Sequence, residues 1–462
     1  MPSRSTIAKF SPLFLAAFLF IAFEILTASP WPDDRDGVNF LLGVKSYDIE
    51  FHQPHFPGYP AYIAAGKAMA LFTGSAEWGL ILLSVFSGVV CLFITFLVAE
   101  EEFDRRTAYI IAAALAVNPV FFEFSHKIFS EIPALLLGLL AILALGGSGK
   151  ISTGRWFLAG ISVGLMLGVR LSWWPFALFY VAIALFTAKR AFAVTGFLFG
   201  VLLWLLPQAA FVGPEQLLSI GKSFTSGHFN EWGGAVGTTF ANGNRPALIA
   251  MRIAEVFGWA GTGTMWTRIP WALFMVFGFF TFFYSGHEKS GRIKFFGAAA
   301  ALYFVWVIFG QNPEKVRHFI PFVPLSLLIV GYAIRKYPKG ATVILLIYAL
   351  TLPIDYSLRE SDTPPTVRLK RWVDSTSNSY TLFFCGESER FFDLHPAKAR
   401  FVNVTGTTNL ELAVKSTWPE PDASFICDDI PGFIPAGKPV ALFLARKGDP
   451  VDRSLKVYES TF

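Results

Sequence analysis

The sequence predicts a polytopic α-helical membrane protein carrying a small soluble α/β domain at its C-terminal end. Three observations predict it. Hydrophobic residues make up 54% of the 462 positions and charged residues only 15%, against about a quarter charged in soluble domains. The mean hydropathy is +0.51, and apolar runs recur as far as residue 354. Beyond about residue 359 the chain changes to short β-rich runs separated by polar segments.

The first apolar run, 10–28, follows the basic start "MPSRSTIAKF". A cleaved signal peptide begins in the same way, but no small-x-small cleavage site stands out and further runs follow, so 10–28 reads as an uncleaved span. Ten more runs lie near 79–98, 107–122, 132–146, 156–171, 173–187, 191–212, 269–285, 295–310, 319–334 and 341–354. The expectation is about 11 transmembrane helices, several shorter than the ~20 residues that cross the hydrocarbon core.

Loop charge tests this count. With the N-terminus cytoplasmic, the inner segments carry Arg4 and Lys9, Arg105 and Arg106, Lys150 and Arg155, and Lys189 and Arg190. They continue with Lys289, Arg292 and Lys294, then Arg335, Lys336 and Lys339. Every second loop is basic, as the positive-inside rule asks, and an even count would break the alternation. These cations also account for the net charge of +5, so no nucleic-acid partner is needed.

The expected chain is therefore a multi-pass protein of an inner or plasma membrane. It divides into a transmembrane unit, 1–358, with external loops 29–78 and 213–268, and an extracytoplasmic α/β unit, 359–462. Within the second loop, "GKSFTSGHFNEWGGAVGTTFANGNR" (221–245) reads as loop and "PALIAMRIAEVF" (246–257) as an amphipathic helix on the membrane surface. Strand candidates in the tail are "YTLFFC" (380–385), "ARFVNV" (399–404), "SFIC" (424–427), "VALFLA" (440–445) and "LKVYES" (455–460). Cys91 sits in an apolar run. Cys385 and Cys427 both fall in the tail, where an oxidising compartment permits a disulfide and two free thiols are the alternative.

Ionisable residues within or beside spans are costly and mark function. Asp33, Asp34, Arg35 and Asp36 follow the first span. Asp33 and Asp34 fit a solvated, helix-capping loop as well as a site, whereas Asp36 opens "DGVNFLLGVKSYD", a helix that would hold its carboxylate as a general base or metal ligand. "FHQPHFPGYP" (51–60) offers His52, His55 and Tyr59. Surface histidine is the plain reading of each imidazole, and Pro54, Pro57 and Pro60 stiffen a turn outside regular structure. In "FSHKIFSEIPA" (124–134) a helix would set Lys127 and Glu131 four residues apart on one face, paired with each other or turned to an anionic substrate. Arg170 and the Arg317–His318 pair sit near outer span ends. They either snorkel to head groups or ring one external cavity, where guanidinium suits phosphate oxygens. No phosphate-binding glycine loop, His-Glu-x-x-His, Cys-x-x-Cys or nucleophile elbow is present in the sequence.

The acidic loop "DDRDGVNFLLGVKSYDIEFHQPHFPGYPAY", with "NPVFFEFSHKIFSEIPALLLGLLAILAL", "GLMLGVRLSWWPFAL" and "EKVRHFIPFVPLSLLI", resembles the GT-C class of integral-membrane glycosyltransferases. Within it the chain is similar to bacterial relatives of the dolichyl-phosphate-mannose protein mannosyltransferases and the aminoarabinose lipid A transferases, over roughly 10–355. The resemblance implies inverting transfer of a sugar from a polyprenyl-phosphate donor to a protein, lipid or glycan acceptor. It implies Asp36 as the loop carboxylate with Asp34 in reserve, Glu131 as the acid of the Ser-Glu-x-Pro segment, and Arg170 and Arg317 as cations for the lipid phosphate. No cofactor is certain, and a divalent cation is an open possibility. The competing class is a transporter or flippase, which would place its ionisable residues near mid-membrane rather than at outer span ends.

Overall fold

A computed structural model describes residues 4–146, 150–238, 244–259, 265–284, 291–357 and 363–404, and, of the remainder, 409–410, 412–413, 423–430, 433–434, 438–445 and 453–459. It is a helical bundle with a small C-terminal sheet, as expected.

Helix α1 (Arg4–Thr27) leads into two helices that lie inside the expected first loop: α2 (Arg35–Lys45) and α3 (Pro60–Thr73). Asp34 caps α2, its Oδ1 accepting from Gly37 N at 2.9 Å, the usual role of Asp before a helix. Pro60 is not outside regular structure as expected. It starts α3, because a first-turn proline loses no hydrogen bond and has its φ already set.

Next come α4 (Ala76–Glu102), α5 (Arg105–Ala116) and α6 (Pro119–Ser125). The single span expected over 107–122 is bent by 64° between α5 and α6. Asn118 accepts from Val120 N and Phe121 N, and Pro119 follows it, so the Asn-Pro pair closes one helix and starts another. The link 126–130 is not helical, which removes the i,i+4 relation expected of Lys127 and Glu131.

Helices α7 (Glu131–Leu145), α8 (Thr153–Val169), α9 (Trp174–Phe186) and α10 (Arg190–Val212) complete the first half. Glycines let α8 and α10 touch backbone to backbone. A Cβ at Gly196 would lie 2.2 Å from Phe157 O, and one at Gly160 2.5 Å from Phe197 N, the small-residue packing of membrane helices.

The second half runs α11 (Pro214–Asn230), α12 (Arg245–Ala254), α13 (Met265–Tyr284), α14 (Gly291–Gly310), α15 (Phe322–Lys336), α16 (Pro338–Ala349) and α17 (Thr351–Ser357). Part of the expected loop 221–245 is helical, since α11 reaches Asn230. Pro214 starts it, and its glycines and serines are only weakly unfavourable to a helix. The expected amphipathic helix is found as α12.

By length and composition, α4, α10 and Trp266–Tyr284 each suffice to cross a membrane, and the bent α5–α6 pair adds a fourth. Shorter apolar helices include Ser11–Thr27, Glu131–Leu145 and Thr153–Val169.

The C-terminal region contains α18 (Pro365–Thr376) and α19 (Arg390–Leu394). Its strands are β1 (Thr381–Cys385), β2 (Arg400–Asn403), β3 (Ala423–Cys427), β4 (Ala441–Phe443) and β5 (Leu455–Glu459), ordered β2-β1-β3-β5-β4. All five strand candidates are found. β1 pairs parallel to both β2 and β3, whereas β5 is antiparallel to β3 and β4. β1 is buried throughout, which explains its unbroken apolar run. A Cys385–Cys427 disulfide ties the ends of β1 and β3.

Candidate active site

The site forms where α2 begins. Arg317, in the turn before α15, is 6% exposed and gathers carboxylates from two distant segments. Its Nη1 donates to Asp34 Oδ2 at 2.9 Å and its Nη2 to Asp36 Oδ2. Its Nε lies 3.5 Å from Glu131 Oε1, and its guanidinium carbon sits 5.1 Å from the Phe129 ring centroid. Arg170, at the end of α8, places Nη1 2.9 Å from the same Glu131 oxygen, donates to Ser130 Oγ, and sets Nη2 3.4 Å from His318 Nδ1. Asp34, Asp36, Glu131, Arg170, Arg317 and His318 thus come together from four parts of the chain.

Burial favours the neutral form of the Asp36 carboxyl, but Arg317 above all, then Lys315, His55 and Arg170, hold it well below the ordinary carboxylate range. Asp34 shares the guanidinium, and there burial prevails and raises the carboxyl. The shared guanidinium thus favours the charged form most at Asp36.

His55 stands beside Asp36, with Nδ1 3.6 Å from Oδ1. Its Nε2 lies 3.1 Å from the Tyr59 hydroxyl, and its ring stacks on Phe224. Burial pushes the imidazole down to about 4, against the pull of Asp36, so it is neutral at neutral pH. The backbone around it is locked: Gln208 Nε2 donates to Pro57 O at 2.6 Å and to the Tyr47 hydroxyl, and Tyr59 has φ 46°, a left-handed conformation costly for a bulky residue. His52 is exposed. Arg35 and Arg390 are its charged neighbours, and the structure does not bring it to Asp36.

Lys127 does not reach the open site either. Its side chain is 3% exposed, with Nζ 3.2 Å from Asp33 Oδ1 and 3.5 Å from Glu123 Oε2. Beside it, His126 Nδ1 lies 2.5 Å from Glu24 Oε2. Sequence reasoning missed Glu24, whose signal was an acid inside an apolar run. This second buried network ties α1, the start of the first loop and α6 together.

A cavity of about 480 Å³ opens beside Asp34 and Arg317. Asp33, Asp34 and Lys315 line one side, and Ser388, Asp429 and Arg453 of the C-terminal region line the other. Asp36 is not among its lining residues and faces His55 instead. The C-terminal region is docked over α2: Arg390 Nε donates to Asn39 Oδ1 at 3.0 Å and Nη2 to Phe51 O at 2.7 Å. The His395 ring lies 4.9 Å from that of Trp31.

A divalent cation fits poorly between these acids. Arg317 takes an oxygen of both Asp34 and Asp36, and neither acid joins Glu131 in a cluster of donors tight enough for an ion. Among the described residues, the three acid, thiol or imidazole donors that do lie within 4.8 Å of one another are Cys385, Cys427 and Asp429, and the two thiols are spent in the disulfide.

The family model described as dolichyl-phosphate-mannose-protein mannosyltransferase matches residues 55–212. Comparison with curated proteins finds no match. Among solved structures, the chain is similar to ArnT from Cupriavidus metallidurans bound to undecaprenyl phosphate, at TM-score 0.58 and 9% identity over 97% of this chain and 98% of that one. The chain shares the fold of ArnT over nearly its whole length. The Archaeoglobus fulgidus oligosaccharyltransferase in complex with Zn and sulfate matches at TM-score 0.52 and 14% identity, over 90% of this chain and 68% of that one. The mycobacterial arabinofuranosyltransferase AftD matches at TM-score 0.50 and 13% identity, over 97% and 40%. The GT-C resemblance read from the motifs is thus borne out in the architecture.

Proposed function

We propose that this chain is a membrane glycosyltransferase that moves a sugar from a polyprenyl-phosphate-linked donor to a protein, lipid or glycan acceptor on the extracytoplasmic face. The observation that carries the reading is Asp36: Arg317 keeps it charged and takes its Oδ2, while Oδ1 accepts no hydrogen bond among the described residues. Oδ1 takes the proton of the acceptor hydroxyl as the acceptor oxygen bonds to the sugar's anomeric carbon. The bond from that carbon to the carrier phosphate breaks on the opposite face, and its electron pair leaves on the phosphate, inverting the centre. General bases contribute typically ~10²–10⁴-fold, most where the pKa lies near the working pH. Asp34 caps the helix and shares Arg317, and Glu131 holds Arg170 and Arg317 in place.

The same reading puts the N-terminus in the cytoplasm, as the basic alternate loops ask, and makes residues 359–462 a separate extracytoplasmic domain over the site. Asp36→Asn is the test, with sugar transfer from a polyprenyl-phosphate donor followed in purified protein. Transfer should be lost while the protein still folds, its unfolding temperature lowered by the lost Arg317 contact but staying above that of Arg317→Met, which strips both acids of their cation. Full activity in that variant would remove Asp36 from the chemistry.

A further inference from the structure

Asp36 and His55 come from two separate pieces of the first loop, the start of α2 and the proline-rich turn 51–58. They meet with His55 Nδ1 3.6 Å from Asp36 Oδ1. Gly43 lets Pro54 lie against α2, since a Cβ there would come within 2.6 Å of Pro54 Cδ. The far end of the turn is held from α10, where Gln208 Nε2 donates to Pro57 O. The near end is held from the C-terminal region, by Arg390.

Arg390 Nε donates to Asn39 Oδ1 at 3.0 Å and its Nη2 to Phe51 O at 2.7 Å. Asn39 is buried and follows Asp36 by three positions, a neighbour on the same side of α2. Phe51 precedes His55 by four positions. Among the described residues, Arg390 is the one side chain that hydrogen-bonds both pieces. It is 16% exposed and its Nη1 is held by Asp393, so the guanidinium offers its other donors in a fixed plane.

The segment that carries Arg390 is firmly built. Cys385 and Cys427 join the ends of β1 and β3. Just beyond them, Asp429 accepts from Gly386 N at 2.9 Å and from Ser388 N at 2.7 Å. Asn403 of β2 donates to Glu389 Oε2 at 3.1 Å, and the Phe392 ring stacks on that of Phe401. Arg390 thus reaches α2 from the framework of the sheet.

We propose that Arg390 is a positioning residue for the transfer step: by holding Asn39 and Phe51 together, it sets how His55 stands against Asp36. The proposal rests on the transferase reading. Misplacing a reacting group by about 1 Å can cost ~10²-fold in rate, and two hydrogen bonds from one guanidinium oppose a shift of the turn along α2. A lysine lacks the planar fork and cannot hold both partners in the same geometry. The C-terminal region is thereby part of the geometry of the site as well as its cover.

The test uses the full chain in detergent, as wild type, Arg390→Ala, Arg390→Lys and His395→Ala. The last removes the ring contact with Trp31 and leaves Arg390 in place. Two quantities are measured: kcat and KM for a polyprenyl-phosphate-linked sugar, and hydrogen exchange of the amides in 37–45 and 48–58. Arg390→Ala should lower kcat ~10–10²-fold with donor KM unchanged, the mark of an interaction that acts on the chemical step. Exchange should quicken in both segments and stay as it was in α4 and α10. Arg390→Lys should fall between, and His395→Ala should keep the wild-type kcat and exchange. Unchanged kcat in Arg390→Ala overturns the proposal, and so does an equal fall in His395→Ala, which would make the effect one of general undocking. If wild type transfers no sugar from such a donor while exchange in both segments still depends on Arg390, the transferase reading falls and the clamp stands.

Discussion

The Arg317 guanidinium donates to the Asp36 carboxylate across 281 positions of chain. A residue from the turn before α15 thereby fixes the charge of a residue in the first loop. Breaking a buried pair by removing one partner leaves an uncompensated charge and costs about 3–5 kcal/mol. Arg317→Met, which strips the cation from Asp34 and Asp36 at once, should destabilise by that order in thermal or denaturant unfolding. Arg317→Lys should fall between, because one ammonium cannot serve two carboxylates in a fixed fork.

The same contact sets an acid limit. The Asp36 carboxyl is held below its unfolded value of 3.8 by Arg317 despite burial. Its stabilisation is therefore complete above pH 3.8 and is lost only as pH falls toward the lower folded value. The acid limb of the pH–rate profile should lie below the ordinary carboxylate range in wild type and shift upward in Arg317→Lys. An acid limb at the same pH in both would separate Arg317 from the charge of Asp36.

His55 gives the opposite histidine case. Burial lowers it from 6.5 to about 4, so the unfolded chain takes up this proton first as pH falls. Its stabilisation is full above about pH 6.5 and declines between 6.5 and 4. Unfolding midpoints of wild type and His55→Gln, measured across that window, should differ in slope, with the variant flatter. Parallel curves would mean that the imidazole is not buried against Phe224 and Tyr59.

How far the sequence revealed this arrangement depended on whether the signal was local. The place of Asp36 at the start of a helix was readable because an acid opening an amphipathic helix is a local pattern, and the five strands were readable from short apolar runs between polar segments. The placement of Lys127 relative to Glu131 was not legible, because four-residue spacing implies a shared face only in a helix and α6 ends at Ser125. Arg245 and Arg252 gave no sign of their long-range partners, the carbonyls of Ile308, Gln311 and Pro313 some sixty residues away.

The inner network makes a coupling measurable. Lys127 sits against Asp33, whose neighbour Asp34 caps α2. Lys127→Met should destabilise the chain strongly, because Glu123 and Asp33 lose their shared cation. Adding Asp33→Asn should recover part of the loss, with a coupling of about 0.5–3 kcal/mol in a double-mutant cycle. Strict additivity would show that the two side chains do not interact in the folded protein.

Metal removal follows from the carboxylate geometry. Arg317 already neutralises an oxygen of Asp34 and of Asp36, and both Arg170 and Arg317 lie against Glu131 Oε1. A divalent ion would have to displace a guanidinium that is fixed by two hydrogen bonds and packed on Phe129. Treating the purified protein with a chelator should therefore leave its unfolding temperature unchanged, and adding Mn²⁺ or Zn²⁺ should not raise it, since an ion that binds only the folded state stabilises by mass action. A metal-dependent rise that disappears in Asp36→Asn would place an ion among these acids and displace Arg317 from the centre of the site.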